Sequence, residues 1–315
     1  MNYCLYIVVP CYNEEAVLDE TTLRLSRIFD DMIKKNIVSA DSKILYVDDG
    51  SNDSTWSMID SYCQSNQYVC GVKLAGNAGH QNALMAGLET AVGKADILIT
   101  VDADLQDDIN LIPDMVRKYD EGFDIVCGVR SDRDTDSFLH RKFAYAFYHV
   151  MNFLGTKTIF NHADYRLMSK RAVNQLCKYR ERNLYLRGII LKVGYKYTCV
   201  YYSRAKRFAG ESHYPYSKLL ELAFEGITSF SIKPVRLVLT VGLIFVLLSL
   251  FMFFYVIWGI LVGRSLAGWP SVILSIWFVG GLLMIGMGIV GEYIGKIYLE
   301  VKDRPRYNIE KTEKI

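Results

Sequence analysis

The front two-thirds of the chain alternates short apolar runs with amphipathic stretches, and the back third does not. Runs at 4–9, 43–47, 69–74, 96–101 and 124–128 are rich in Val, Ile, Leu and Tyr and are bounded by polar clusters, which predicts buried strands. Between them, 14–35, 54–65, 79–92 and 109–119 carry helical patterns. This strand–helix order predicts an α/β fold: a Rossmann-like open sheet of parallel strands with helices on both faces. After Arg236 the pattern changes. Residues 237–263 hold no charge, and after Arg264 neither do residues 265–291. About 20 apolar residues suffice for a helix to span the hydrocarbon core. A C-terminal two-helix transmembrane hairpin is therefore predicted, near 237–261 and 272–291.

The chain divides on this reading into an α/β domain over 1–214, a juxtamembrane interfacial segment over 215–234, the hairpin over 235–295 and a tail over 296–315. Lys233 and Arg236 precede the hairpin and Lys296, Lys302, Arg304 and Arg306 follow it, against Arg264 alone in the connection. Basic flanks stay on the cytoplasmic side. The expected topology is multi-pass in the cell (inner, cytoplasmic) membrane, with the α/β domain and both termini cytoplasmic. Trp258, Trp269 and Trp277 fall towards the outer end of the hairpin, where indole rings favour the interface. The aromatic-rich stretch 138–155 and the stretch 217–232 are candidate interfacial helices, with core packing as the other reading of the first.

Charge and cysteine usage narrow the classes. Lys+Arg of 36 against Asp+Glu of 34 lacks the basic excess of a general nucleic-acid binder. A hydrophobic content of 51% with 22% charged residues excludes a disordered chain. The seven cysteines are odd in number and lack a CxxC pair, which argues against a zinc site or a disulfide framework and fits a reducing compartment.

The polar clusters sit at the carboxyl ends of the predicted strands, where open α/β sheets bind ligands. They are CYNEE at 11–15, DDGSNDST at 48–55, GNAGH at 76–80 and DADLQDD at 102–108. In an extended chain Asp102, Asp104 and Gln106 face one way, and two carboxylates with an amide oxygen suit a hard divalent ion, Mg²⁺ or Mn²⁺. A solvated acidic loop is the alternative. Asp48 and Asp49 can accept hydrogen bonds from a ribose or a base, while Ser51–Thr55 also reads as a turn and helix cap. The absence of GxGxxG and GxxxxGK[ST] removes the main supports for hydride transfer and P-loop hydrolysis.

VVPCYNEE (8–15), VDDGSNDST (47–55), Asn77-x-Gly79 and VDADLQD (101–107) resemble the family 2 glycosyltransferases of GT-A fold. Arg130-x-x-Arg133, Asp164-Tyr165-Arg166-Leu167, Arg207-x-x-Gly210-x-Ser212 and the terminal hairpin are similar to the polyprenyl-phosphate glycosyltransferases within it, the group of dolichol-phosphate mannose synthases and bactoprenol glucosyltransferases. The resemblance implies that Pro10, Tyr12, Glu14, Asp48, Asp49, Asn77, Gly79 and Asp102 bind the nucleotide-sugar, and that Asp102, Asp104 and Gln106 hold the metal. It further implies Asp104, Arg130, Arg207 and Asp164 as catalytic, with Arg130, Arg133, Arg207, Ser212 and His213 at the lipid phosphate. For Asp164 the reading favours sugar contact or orientation of Arg166 over a role as base. Two departures stand out: Asp107-Asp108-Ile109 where many relatives have Asp-Pro-Pro, and His213 where many have Lys.

The implied reaction is inverting transfer of one sugar from a nucleotide-sugar, UDP-glucose first, to a polyprenyl (undecaprenyl) phosphate at the cytoplasmic membrane face. The alternatives are a GDP-mannose-dependent mannosyltransferase and a non-catalytic nucleotide-sugar-binding membrane adaptor. A processive synthase is disfavoured because none of the four tryptophans follows Arg as in QxxRW. A hairpin this short also raises the expectation of a homo-oligomer.

Overall fold

The computed structural model describes residues 2–131, 159, 161–181, 186–204, 233–262 and 268–315. Two compact units are present: Met1–Leu219 with Arg304–Ile315, and Leu220–Asp303.

The first unit is built on one eight-stranded sheet. Its strands are β1 (Leu5–Cys11), β2 (Lys43–Asp48), β3 (Val69–Leu74), β4 (Ile97–Thr100), β5 (Ile125–Arg130), β6 (His162–Ser169), β7 (Tyr197–Tyr202) and β8 (Ile309–Glu313). Its helices are α1 (Leu18–Lys34), α2 (Thr55–Ser65), α3 (His80–Ala91), α4 (Ile112–Asp120, preceded by a 3₁₀ turn over Ile109–Leu111), α5 (Lys170–Leu176) and α6 (Leu186–Lys192). The spatial order of the strands is β7-β5-β6-β4-β1-β2-β3-β8. β1 to β4 are mutually parallel, as the alternation of strands and helices predicts. The sheet is nevertheless mixed and not wholly parallel. β6 runs antiparallel between β4 and β5, and β8 runs antiparallel at the β3 edge.

The inversion of β6 matters for function. Because it opposes its neighbours, its beginning lies where theirs end: His162 pairs with Val129 and Arg166 with Thr100. β7 is parallel to β5 and ends beside it, Tyr202 opposite Arg130. One edge of the sheet thus collects the ends of β1 to β5 and β7 and the start of β6. Pro10 is tolerated in a central strand because the β1–β4 ladder stops at Val8 opposite Thr100, before the missing N–H would be needed there.

Alternate residues of β1 serve the two faces. Leu5, Ile7 and Val9 join a core with Leu25, Phe29 and Met32 of α1, Ile59 of α2 and Met115 of α4, all of them buried. Val8 faces α3 on the other side, where Gly87 lets the helix approach until a Cβ there would lie 2.3 Å from Val8 Cγ1. Full burial of each such aliphatic or aromatic side chain stabilises by about 1.5–3 kcal/mol. The seven cysteines are all unpaired.

The second unit contains α7 (Lys233–Leu261) and α8 (Trp269–Val301). The two run antiparallel in contact: the rings of Phe245 and Phe278 meet in a tilted arrangement with centroids 5.6 Å apart, and Gly286 faces Val238. Apolar side chains point outward, among them Leu247, Phe251, Phe254, Met284 and Met287. Phe278–Val301 is long and apolar enough to cross a membrane, with almost none of it buried. α8 continues past the predicted end at 291, because Glu292 and Lys296 pair at i,i+4 and a charged turn need not end a helix. The segment read as a tail over 296–315 is therefore part helix and part strand, since Ile309–Glu313 completes the sheet. The interfacial candidates 138–155 and 217–232, Arg264, and the site candidates Arg133, Arg207, Ser212 and His213 lie outside the described residues.

Candidate active site

The loops at the shared strand edge are laced to one another. Asn13, in a left-handed conformation (φ 55°), donates its amide to Ser51 Oγ, and the Glu14 amide donates to Thr55 Oγ1 at 2.9 Å. In return, the Asn52 amide donates to Asn13 Oδ1 and the Ser54 amide to Glu15 Oε2. This fixes Tyr12, which is 44% exposed, and the partly exposed Glu14 at the rim. Pro10 lies buried behind them.

Asp48 and Asp49 divide their work. Asp48 is fully buried and accepts the Ser51 amide. Burial pushes its carboxyl above the usual range, partly offset by Ser51. Asp49 accepts the amides of Ala78 at 2.7 Å and Gly79 at 2.9 Å, one on each oxygen. Burial raises its pKa as well, and the two amides work against the rise. The Asn77-x-Gly79 loop is thus brought onto the second strand end, with Gly79 at φ 91° capping α3 and Asn77 exposed. Gly50 (φ 72°) is required here, since a Cβ would lie 2.7 Å from the Asn77 amide nitrogen.

Beyond Thr100 the chain leaves the strand. Leu105 takes a left-handed conformation (φ 56°), so the alternation that would have aligned Asp102, Asp104 and Gln106 does not extend through this segment. The Gln106 amide donates to Asp104 Oδ1 at 3.1 Å. The Gln106 side-chain oxygen accepts from Arg204. Asp102 faces His80 at 3.6 Å, and its Oδ1 is buried without a hydrogen-bond donor. Burial pushes its carboxyl to about 6; His80 opposes this, and Asp107, Asp164 and Asp104 add to it.

Among the described residues no group of three or more His, Cys, Asp or Glu side chains could hold a metal ion by itself. A buried carboxylate oxygen lacking a donor, in a concentration of acidic groups, nonetheless fits a divalent cation whose shell is completed by water and phosphate oxygens. Asp102 and Asp104 fit that role. Gln106 does not in this arrangement, because its oxygen is engaged by Arg204.

Asp164 lies between two arginines, accepting from Arg166 and, at 2.8 Å, from Arg187 on α6. Burial alone would raise its pKa, but Arg187, Arg166 and His80 outweigh burial and hold the carboxyl well below the usual range. A carboxylate so strongly ionised has little driving force to accept a proton. The arrangement agrees with orientation of Arg166 and adds Arg187, which nothing in the apolar run 186–192 announces. Arg130 pairs through one guanidinium nitrogen with buried Asp107, at 3.1 Å, and Tyr202 donates to the same oxygen. Burial disfavours the Arg130 charge, and Asp107 more than restores it. His80, Asp107, Arg187 and Tyr202 were not legible as site residues. His80 and Asp107 had a signal, His80 as the last residue of GNAGH and Asp107 within DADLQDD, whereas Arg187 and Tyr202 had none.

An open mixed α/β sheet with acidic strand ends gathered on one edge is the architecture of the GT-A-like class. The sequence profile of Glycosyl transferase family 2 matches residues 6–177, and the chain belongs to that family. It is 51% identical over 306 residues to the uncharacterized glycosyltransferase YkoT of Bacillus subtilis, covering 97% of this chain and 91% of that one. It is 40% identical over 313 residues to the prophage bactoprenol glucosyl transferase homolog of Escherichia coli, covering 98% and 99%. The bactoprenol glucosyl transferase of Shigella phage SfV is 41% identical over 313 residues, covering 98% of each chain. Glucosyl-3-phosphoglycerate synthase from Mycobacterium tuberculosis is a solved structure covering 72% of this chain and 78% of its own, with 18% identity and a TM-score of 0.46.

Proposed function

We propose that the protein transfers one glucose from UDP-glucose to a polyprenyl phosphate, undecaprenyl phosphate in bacteria, at the cytoplasmic face of the membrane. The observation that carries this reading is near full-length similarity to bactoprenol glucosyl transferases, 40–41% identical across 98% of the chain, hairpin included. α7 and α8 then act as a multi-pass anchor with both ends cytoplasmic, which brings the domain to the acceptor's headgroup.

The acceptor phosphate is already an anion at neutral pH. Its oxygen attacks the anomeric carbon while the bond to the diphosphate breaks and the electron pair leaves with UDP. The configuration inverts, and no strong base is needed. This agrees with Asp164 being held ionised by Arg166 and Arg187, where it serves as a hydrogen-bond acceptor for the sugar. Tyr12, Glu14 and Asp49 contact the nucleoside, with Pro10 and Asp48 supporting them from behind. A divalent cation held by Asp102 and Asp104 would supply charge neutralisation at the departing diphosphate. The permanent charge of the arginines offsets the repulsion between the two anionic substrates, and Arg130, Arg133, Arg207, Ser212 and His213 serve the lipid phosphate.

The test is to incubate purified protein with undecaprenyl phosphate, Mg²⁺ or Mn²⁺ and, separately, UDP-glucose, UDP-N-acetylglucosamine or GDP-mannose. Mass spectrometry should find undecaprenyl-phosphate glucose with UDP-glucose only, and none with Asp104→Ala. Product from another donor would replace the sugar assignment. Nucleotide binding without transfer from any donor would favour the adaptor.

A further inference from the structure

The last strand of the sheet is supplied by residues that follow the hairpin, and it begins against the loop that holds Asp49. β8 pairs with β3 in the register Gly71–Glu313, Val72–Thr312, Lys73–Lys311 and Leu74–Ile309. β3 leads directly into 75–79. Immediately past the ladder, the Ala75 amide donates to the Asn308 carbonyl at 2.8 Å. The preceding residue, Tyr307, donates its hydroxyl to Glu89 on α3, and Arg306 donates to the Tyr179 carbonyl.

Loop 75–79 is therefore held at its ends. It begins at the bond to Asn308 and finishes at the Ala78 and Gly79 amides on Asp49. In between it has little side-chain support: Ala75, Gly76 and Asn77 are exposed, and a Cβ on Gly76 would meet nothing within 4 Å. The Gly50 turn presses on it from one side. The helix that continues from it, α3, is gripped through Glu89 by the same C-terminal segment.

We propose that Arg304–Ile315 is a positioning element of the donor site, fixing loop 75–79 and α3 so that the Ala78 and Gly79 amides keep Asp49 directed at the nucleoside diphosphate. This rests on the reading that Asp49 serves the donor. The segment carries none of the residues assigned to the nucleotide-sugar. It acts by restricting a loop whose own side chains do not.

The test uses the full-length protein in detergent, the Tyr307→Phe variant and a chain ended after Asp303. Each is titrated with UDP and, in parallel, GDP, and amide exchange is followed in peptides over 75–82, β1 and β4. The nucleotide Kd is expected to rise about threefold in Tyr307→Phe and about tenfold in the shortened chain. Exchange should accelerate over 75–82 and stay unchanged in β1 and β4. A synthetic peptide of residues 304–315, added to the shortened chain, should restore both. Unchanged Kd in both variants overturns the proposal. So does a weaker Kd accompanied by faster exchange throughout the sheet, which would mark general destabilisation. Asp49→Asn, run beside them, separates the two readings. If it leaves nucleotide affinity unchanged, the donor role of Asp49 fails. If it weakens binding and the C-terminal variants do not, the positioning proposal alone fails.

Discussion

Asp102 and Asp164 are carboxylates of one site displaced in opposite directions, and the cause decides what each can do. Asp102 lacks a hydrogen-bond donor on its buried oxygen and sits near 6. A carboxylate must be ionised to bind a divalent cation. Mn²⁺ affinity is therefore expected to fall about tenfold per pH unit below 6 and to level off above it, which calorimetry between pH 5 and 7.5 would check. In the metal-free protein the folded state holds this proton more tightly than the unfolded chain. The contribution of Asp102 is then greatest below the unfolded value of 3.8 and is lost as pH rises through about 6. Thermal unfolding of Asp102→Asn should show a shallower decline across that window. Asp164 is the reverse case. Its stabilisation is present above the unfolded value of 3.8 and is lost only when pH falls through its much lower folded value. Replacing it with Asn strands the buried Arg166, and a loss of about 3–5 kcal/mol is expected in denaturant titration. The pH–rate profile of the wild type should show no limb from this residue between pH 5 and 9, and such a limb removed by Asp164→Asn would reinstate it as a base.

At the scale of elements, α3 is held close to the sheet by a glycine. Ala at 87 would gain about 1 kcal/mol of helix propensity over Gly. Against this, its Cβ would lie 2.3 Å from Val8 Cγ1 and 2.8 Å from Val47 Cγ2, on two strands with parallel neighbours that leave no room to give. Overpacking costs about 1–3 kcal/mol and should win. Gly87→Ala is expected to lower the urea midpoint, and a stabilised protein would mean that α3 shifts freely on the sheet. The first four helices of the first unit are legible because their periodicity is local, as in 79–92 against the observed His80–Ala91, whereas the seven-residue α5 and α6 are too short to carry such a pattern. β6 and β7 are not legible either, because their apolar positions are interrupted by His162, Asp164 and Arg166 in one and exposed tyrosines in the other. Such strands are recognised by their neighbours, not by their own pattern.

For the whole molecule, the expected behaviour follows from the outward apolar side chains of α7 and α8. Each is long enough, at 29 and 33 residues, to exceed the span of a bilayer core. The protein should remain in the pellet after alkaline carbonate extraction and enter solution only with detergent. Release by carbonate would remove the anchor reading. Ending the chain before α7 to obtain a soluble domain should also fail in a specific way. β8 would be lost with the hairpin, leaving β3 as an uncovered edge prone to pairing with other chains.

Composition and periodicity alone determined the α/β unit, the two long uncharged stretches and the polar strand ends, because each is a property of residues near one another in the chain. The acidic motifs at 48–49 and 102–106 were visible for the same reason. What only the tertiary structure decided was who stands beside whom. Arg187 reaches Asp164 across 23 residues, Gln106 meets Arg204 across 98, and Asn308 closes on Ala75 from the other side of the hairpin. Those partnerships depend on strand order and on the reversal of β6, which no local pattern encodes. They set which carboxylate is ionised, which oxygen remains for a cation and what holds the loop on Asp49.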